Sequence, residues 1–251
     1  MNDPGTFFGI GVGPGEPGLL PVAAWRALET CGVIFAPRAQ SAGASVARDC
    51  LRGFEIPAEK FREVVFTMSP DRELLRAHYH ELAERIAAEL RAGKNVAYLT
   101  LGDPLTYSTF GYTLTALQDA LPELKHRTFP GITSYAAVAA AADWPLGEGR
   151  ERVLILPCPD DMAALRSDIE THDIVVLMKI SARLPRVLAL LREMGIQEHC
   201  ALASHIGMPH EKIFPGAARL AVDEETESLG YLATMLIRKT AREKGHASFS
   251  T

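Results

Sequence analysis

The chain lacks the features that mark a membrane, nucleic-acid-binding or disulfide-stabilised protein. Its formal net charge is −5 at pH 7 and its pI is about 5.9, which argues against general nucleic-acid binding. No apolar run reaches the length that spans a membrane. Cysteine is scarce, and no Cys-x-x-Cys pair occurs among Cys31, Cys50, Cys158 and Cys200. Such scattered cysteines are typical of reduced, buried thiols.

Targeting and metal-binding patterns are equally scarce. The N-terminus has no basic segment followed by an apolar stretch, so no secretion signal is visible and we expect a cytoplasmic protein. His205 and His210 lie close together, but no cysteine or carboxylate pattern completes a metal site around them. We therefore expect no metal ligated by this chain.

What the sequence does contain is an alternation of strand and helix patterns. In the first half this pattern predicts strands and helices in turn, with strands over 7–12, 33–36, 96–101 and 126–129 and helices over 19–31, 70–92 and 109–121. Such alternation indicates a parallel sheet with right-handed crossovers. Three residues are expected to mark boundaries: Gly32 as a helix C-cap, Pro37 as the end of the second strand, and Ser69 as a helix N-cap.

The second half starts the alternation again. It predicts strands over 153–156, 174–178, 200–206 and 212–214 and helices over 160–170 and 184–194, while 229–238 fits either type. We therefore predict an α/β protein of two domains. Residues 1–131 form a mainly parallel sheet, and residues 132–251 form a mixed sheet.

Three predicted strand ends carry small or turn-forming residues. They are Gly11 to Gly18, the Gly102-Asp103-Pro104 turn after a buried strand, and Pro130 to Ser134. Ligands of open α/β sheets bind at the carboxyl ends of strands, and glycine lets a ligand approach the backbone closely. The pattern indicates that backbone groups are presented to one ligand. The alternative for each end is a strand-to-loop turn without a ligand.

The first of these stretches also fits a nucleotide-binding fingerprint. Residues 13–18 match Gly-x-Gly-x-x-Gly, which favours a nicotinamide dinucleotide. Two prolines interrupt it, however, and Pro14 removes an amide donor that would face a pyrophosphate. The second strand ends near Arg38 instead of the expected acidic residue, although an arginine there could hold a 2′-phosphate. The dinucleotide reading is therefore a minor alternative.

Together these motifs resemble the tetrapyrrole methylase family of S-adenosylmethionine-dependent enzymes. The family motifs are matched by residues 11–18, by Gly102-Asp103-Pro104, by residues 130–134, and by residues 175–179, which include Met178. Three further segments (66–69, 99–110 and 142–146) resemble the members that methylate carbon 20 of precorrin-2 or cobalt-factor II. The alternative is a sibling enzyme acting at another ring position or on uroporphyrinogen III.

The resemblance implies two α/β domains with S-adenosylmethionine in the cleft between them, and a homodimer. Position in the family motifs implies that the cofactor is contacted by Pro14, Leu101, Gly102, Asp103, Thr106, Thr133, Ser134, Met178 and Gly207. Ser108 and Thr109 could add hydrogen bonds from their hydroxyl groups. Two of these have open alternatives: Asp103 is either catalytic or a turn-stabilising cap, and Met178 lines the adenine pocket or is simply core.

The implied substrate is a tetrapyrrole with many carboxylates, so basic residues should bind it. The candidates are Arg38, Lys179 and His205, each with a solvated surface charge as its alternative. His205 departs from the family pattern, in which a more basic or polar residue is common. No residue of the sequence stands out as the base that removes a proton from the substrate.

Overall fold

The computed structural model of the chain describes residues 3–40, 43–66, 71–217, 220 and 229–241. It divides into two units, Met1–Thr133 and Ser134–Thr251, and each unit contains one five-stranded sheet. Among the described residues, no helix is both long and apolar enough to cross a membrane.

The first unit is built on a parallel sheet, as the alternation predicts. Its strands are β1 (Phe7–Gly11), β2 (Val33–Ala39), β3 (Phe61–Phe66), β4 (Val96–Thr100) and β5 (His126–Phe129), and its helices are α1 (Val22–Glu29), α2 (Val46–Asp49), α3 (Arg72–Arg91) and α4 (Phe110–Ala120). The strand order is β3-β2-β4-β1-β5, and every neighbouring pair is parallel. The carboxyl ends of β4, β1 and β5 therefore lie side by side.

Apolar side chains cover both faces of this sheet. On one face α1 and α2 contribute to a core around Leu28, Ile34 and Leu99. On the other face α3 and α4 contribute to a core around Phe35 and Ile86. A parallel sheet buried on both faces is the expected outcome of strands that alternate with crossover helices.

Two of the predicted helix boundaries are wrong. The first helix ends with Thr30 as its C-cap, whose hydroxyl donates to the Ala27 carbonyl at 2.7 Å, so Gly32 is not needed there. The long helix begins at Arg72, and Asp71 is its N-cap because its carboxylate accepts the Glu73 N–H at 2.8 Å. Ser69 and Pro70 lie outside the described residues. The predicted end of this helix near residue 92 is confirmed, since the helix ends at Arg91 with Ala92 as its C-cap, and Gly93 follows with a φ of +80°.

Pro37 does not end β2, contrary to the sequence prediction. The Val33 N–H points toward β4 and donates to Asn95 O at 3.4 Å. Because the backbone nitrogens of a strand alternate in direction, the nitrogen of Pro37, four residues later, faces the same side. Pairing between β2 and β4 ends at Phe35, so the missing Pro37 N–H costs no ladder hydrogen bond. The strand continues on its other side beside β3, which the sequence analysis missed.

The second unit has the predicted mixed sheet. Its strands are β6 (Val153–Pro157), β7 (Ile174–Met178), β8 (Cys200–Ser204), β9 (Lys212–Phe214) and β10 (Ala233–Arg238), and its helices are α5 (Ser134–Ala141), α6 (Met162–Thr171) and α7 (Leu184–Glu193). The order is β6-β7-β10-β8-β9, with β6 and β7 parallel and the other pairs antiparallel. The two sheets confirm the predicted class of two α/β domains.

The ambiguous segment 229–238 contributes the central strand of the second unit. All six residues of β10 are buried because β10 lies between β7 and β8. A strand covered on both faces has a continuous apolar sequence, which periodicity alone does not distinguish from a buried helix. One face packs on α6 and α7 and the other on α5.

Candidate functional site

In the first unit, the glycines of the three predicted motifs meet at the carboxyl edge of the sheet. The Gly102 N–H donates to Gly13 O at 2.7 Å, and the Gly13 N–H donates to Gly102 O at 3.3 Å. Both residues have positive φ values, +80° for Gly13 and +70° for Gly102, a conformation that glycine adopts without strain. The loops after β1 and β4 are thereby fixed to each other through backbone groups.

The third motif, residues 130–134, packs closely against the other two. A Cβ atom at Gly131 would lie 2.0 Å from Gly102 O and 2.8 Å from the carbonyl carbon of Gly11. A Cβ at Gly11 would in turn lie 2.4 Å from the Gly131 nitrogen. Glycine is required at both positions because the backbones of β1, β4 and β5 touch there.

Asp103 organises the same loops with its carboxylate. One oxygen accepts the Gly131 N–H at 3.2 Å, and the other accepts the Leu105 N–H at 2.9 Å and the Thr106 hydroxyl at 3.1 Å. These contacts fit the turn-stabilising alternative for Asp103. Its catalytic role stays a prediction.

The hydroxyls after the Gly-Asp-Pro turn already have partners inside the protein. Ser108 Oγ donates to the Pro104 carbonyl and accepts the Phe110 N–H at 3.2 Å, at the start of α4. Thr109 Oγ1 lies 2.9 Å from the hydroxyl of buried Tyr98. Burial raises the pKa of Tyr98, so this phenol stays protonated. The geometry shows both hydroxyls as local structural contacts, and their contact with a cofactor stays a prediction.

Among the residues that the structure describes, no strand pairs with β4 on its β2 side beyond Tyr98, because the pairing with β2 ends at Phe35–Tyr98. Leu101, Gly102 and Thr106 are half-buried there. Leu105 is 67% exposed beside them. This edge therefore presents backbone amide and carbonyl groups together with apolar side chains. Pro14 is buried behind the edge.

The second unit has its own unusual sheet edge. Because β10 runs antiparallel to β7 and β8, its start lies at the same edge as their carboxyl ends. Four non-glycine residues with positive φ cluster at this edge, namely Lys179 (53°), Ser181 (51°), His205 (55°) and Leu232 (49°). Left-handed conformations of non-glycine residues cost free energy and concentrate at functional sites. This edge is therefore a second candidate region.

Backbone hydrogen bonds hold these conformations in place. The Ser181 N–H donates to Gly230 O at 2.8 Å, and the His205 N–H donates to Leu232 O at 3.2 Å. Gly207 N–H donates to a carboxylate oxygen of Glu211 at 2.6 Å. Met178, at the end of β7, is half-buried against the core that packs on α5. Its position satisfies both alternatives, core residue and pocket wall.

Two further predicted cofactor residues lie at the junction of the chain's two units. Thr133 is half-buried, and the Ser134 hydroxyl lies 2.8 Å from the hydroxyl of Thr234 at the start of β10. This pairing links α5 to the central strand of the second sheet. Thr234 could not be predicted as a partner of Ser134, because a single threonine in an apolar strand carries no signal.

The predicted substrate-binding residues differ in their surroundings. Arg38 is engaged with Glu63, with 2.9 Å between its Nε and the carboxylate, while Lys179 is exposed. His205 is half-buried, and its Nδ1 lies 2.8 Å from Ser204 Oγ. Burial and the charge of His210 lower the pKa of His205 below its usual value. Its ring is therefore neutral near pH 7, which argues against a permanent cationic role.

Thiol and metal chemistry find no support in the described residues. Burial raises the pKa of Cys31, Cys50 and Cys200 to about 12 and that of Cys158 to about 11, so these thiols stay protonated. Within the described residues, no three His, Cys, Asp or Glu side chains come together in a way that suits a metal ion.

Comparisons with known proteins bear on what these edges do. The family described as Tetrapyrrole (Corrin/Porphyrin) Methylases matches residues 6–221. The cobalt-precorrin-2 C(20)-methyltransferase of Salmonella typhimurium is 32% identical over 94% of this chain and 97% of its own length. The precorrin-2 C(20)-methyltransferase of a Sinorhizobium species is 30% identical over 76% of this chain and 80% of its own.

A solved structure shows the same fold. Uroporphyrin-III C-methyl transferase from Thermus thermophilus, complexed with S-adenyl homocysteine, aligns with a TM-score of 0.59 at 20% identity, over 93% of this chain and 97% of that one. At this identity the likeness concerns the fold alone.

Proposed function

Because this chain belongs to the tetrapyrrole (corrin/porphyrin) methylase family, we propose that it transfers a methyl group from S-adenosylmethionine to carbon 20 of precorrin-2 or cobalt-factor II. The observation that carries this proposal is the 32% identity to a cobalt-precorrin-2 C(20)-methyltransferase over nearly the full length of both chains. The two C(20) relatives differ in whether their names include cobalt, so the proposal covers both forms of the substrate.

The residues at the first unit's edge suit this cofactor. S-adenosylmethionine supplies an activated methyl group on a sulfonium, and its adenine, ribose and amino-acid parts need hydrogen-bond donors and acceptors. A Cβ atom at Gly11 or Gly131 would clash with neighbouring backbone, and Gly102 has a positive φ, so the backbone at these positions carries no side chain. Within the described residues, no strand pairs with β4 on its β2 side beyond Tyr98. We infer that Leu101, Gly102 and Thr106 bind the cofactor here.

The second unit supplies the remaining predicted contacts. Met178 and Gly207 lie at the edge where the left-handed residues cluster. The expectation that residues of both units hold one cofactor molecule in a cleft stays a prediction, as do the homodimer and the cytoplasmic location.

Because the methyl donor is already activated, the chain mainly has to position two partners in line. Holding reactants in a reactive geometry contributes about 7–11 kcal/mol to lowering such barriers. The fixed loops of residues 11–13, 102–106 and 131 are suited to this because five hydrogen bonds and two close glycine contacts hold them. The substrate's carboxylates call for cations, and exposed Lys179 is the candidate with most access to solvent among the three predicted.

Calorimetric titration with S-adenosylhomocysteine, with NADP as the control, tests the cofactor class. Saturable binding of the first ligand and none of the second supports the methylase. Binding of NADP alone would contradict the methylase and would support residues 13–18 as a dinucleotide-binding motif. Product analysis with precorrin-2 then separates the carbon-20 enzyme from a sibling that methylates another position.

A further inference from the structure

The proposed reaction needs a proton acceptor. When the electron pair of carbon 20 attacks the methyl group, that carbon keeps its hydrogen and must lose a proton to restore conjugation. The four thiols are buried and protonated, and both oxygens of Asp103 already accept hydrogen bonds. If the proposed function holds, another residue must take that proton.

The hydrogen bonds around His205 favour one tautomer of its ring. Ser204 is buried, and its Oγ lies 2.8 Å from His205 Nδ1 and 3.3 Å from the Tyr231 carbonyl oxygen. Because the Tyr231 carbonyl can only accept, we assign the single hydroxyl proton of Ser204 to it. Ser204 Oγ then accepts the N–H of Nδ1, which leaves Nε2 with an unprotonated lone pair.

The ring is also held in place. His205 has a φ of +55°, and its N–H donates to Leu232 O at 3.2 Å. The Tyr231 ring lies 5.7 Å from the imidazole, centroid to centroid. Backbone, hydroxyl and ring contacts thus fix the direction of Nε2. A solvated surface histidine would not need this support, which is typical of a positioned base.

We propose that Nε2 of His205 is the general base that removes the proton from carbon 20. In this step the new bond forms between carbon 20 and the methyl carbon, while the sulfur–methyl bond breaks and its electron pair stays on sulfur. The bond between carbon 20 and its hydrogen then breaks, its electrons return to the conjugated ring system, and the proton moves to Nε2. The imidazolium later releases that proton to water.

The surroundings of His205 keep it in the base form. His210 and Glu211 lie on its own loop, and Tyr231 precedes β10 on the other side. Burial lowers the pKa of His205 first, and the His210 charge lowers it further. The neutral ring is therefore available at pH 7, and it becomes protonated only below the usual histidine pKa of about 6.5.

The test compares His205→Gln, His205→Arg and Ser204→Ala with the full wild-type chain and with His210→Gln as the matched control. We expect kcat of His205→Gln to fall at least about 100-fold, the lower limit for loss of a general base. The KM for both substrates should stay within about threefold, and His205→Arg should not restore activity. Circular dichroism and S-adenosylhomocysteine binding check that each variant is folded.

Two readouts separate a base from a residue that only supports the fold. The acidic limb of the wild-type pH–kcat profile should be absent in His205→Gln and should move in Ser204→Ala, which loses the tautomer contact. With substrate deuterated at carbon 20, a primary isotope effect should appear in His205→Gln. His210→Gln should retain wild-type kcat at pH 7.5.

Three results would overturn the inference: His205→Gln retaining kcat within threefold, His205→Arg restoring activity by binding a carboxylate, or a loss confined to KM. If the wild-type chain does not methylate carbon 20 at all, the proposed function itself fails. That outcome is distinct because it precedes any comparison of variants.

Discussion

The carboxylate of Asp103 accepts a hydrogen bond from the backbone N–H of Gly131, a residue 28 positions further along the chain. The distance between Asp103 Oδ2 and the Gly131 nitrogen is 3.2 Å. The contact ties the loop after β4 to the loop after β5, which are separated in the sheet by β1. Asp103 thus joins two motifs that the sequence presents as separate.

Asp103→Ala should leave the fold intact and impair methyl transfer. The change removes acceptors for two backbone N–H groups and one hydroxyl, and each unsatisfied buried group costs about 1–3 kcal/mol, less where solvent reaches it. We expect weaker S-adenosylhomocysteine binding by calorimetry and lower turnover. Asp160→Ala, an exposed aspartate paired with Arg183, is the control and should change neither. Wild-type turnover in Asp103→Ala would remove Asp103 from the mechanism.

Gly131→Ala should damage the candidate cofactor site more than a typical glycine substitution. The new Cβ would lie 2.0 Å from Gly102 O, so the β4 and β5 loops must separate. Overpacking of this kind should lower the free energy of unfolding, measured by urea denaturation, by about 1–3 kcal/mol. The displaced loops should also weaken S-adenosylhomocysteine binding by at least about tenfold.

The matched control for that substitution is Gly111→Ala in α4. Outside the helix's own backbone, no atom of the described residues would lie within 4 Å of a Cβ there, and alanine is favoured over glycine in a helix by about 0.5–1 kcal/mol. This variant should be slightly more stable and bind normally. Equal binding by the two variants would show that the glycine contacts do not shape the site.

Arg238→Ala should destabilise the second unit. Arg238 is buried, its guanidinium pairs with Glu151 and Glu148 and bonds to Pro145 O at 3.0 Å, and it lies over the Trp144 ring. We expect the free energy of unfolding to fall by about 3 kcal/mol, the low end for a broken buried ion pair. The low end applies because Glu148 is 45% exposed, so water can solvate its carboxylate when the arginine is removed.

Arg166→Ala removes an exposed arginine from its pair with Glu193 and serves as the comparison. Such surface pairs contribute about 0–1 kcal/mol, so urea denaturation should barely detect this change. Similar losses in Arg166→Ala and Arg238→Ala would mean that burial of Arg238 does not strengthen its interactions.

The thiols should be unreactive in the folded chain. Burial raises the pKa of Cys31, Cys50 and Cys200 to about 12, whereas an unfolded thiol ionises near 8.5. Protonated thiols therefore favour the folded state fully below about pH 8.5, and this contribution is lost as pH rises toward 12. A thiol reagent at pH 8 should label the four cysteines only in denaturant. Rapid labelling of the native chain would contradict the burial.

Local signals predicted most of the strands and their directions. The Gly102-Asp103-Pro104 turn marked the end of β4, and the apolar run 174–178 predicted β7 at its observed bounds. Residues 212–214, predicted to pair beside the 200–206 strand, form β9 next to β8. Tertiary context decided the rest. Pro37 is tolerated in β2 because pairing with β4 has already ended, and β10 is a strand because it lies between two others.

The candidate site shows the same division. Sequence motifs predicted the glycines and Asp103, but the Asp103–Gly131 bond joins positions that only the sheet order brings together. The Ser204 contacts that define the His205 tautomer depend on Tyr231, 27 positions away from Ser204. A single sequence gives no indication of such long-range pairing, which is why the base was not found from the residues alone.

The most direct test of the proposed function is to incubate the protein with precorrin-2 and S-adenosylmethionine labelled with ¹³C in the methyl group, and to locate the label by NMR. We expect one labelled methyl group, on carbon 20. Label at another ring carbon, or no transfer to precorrin-2 or cobalt-factor II, would contradict it.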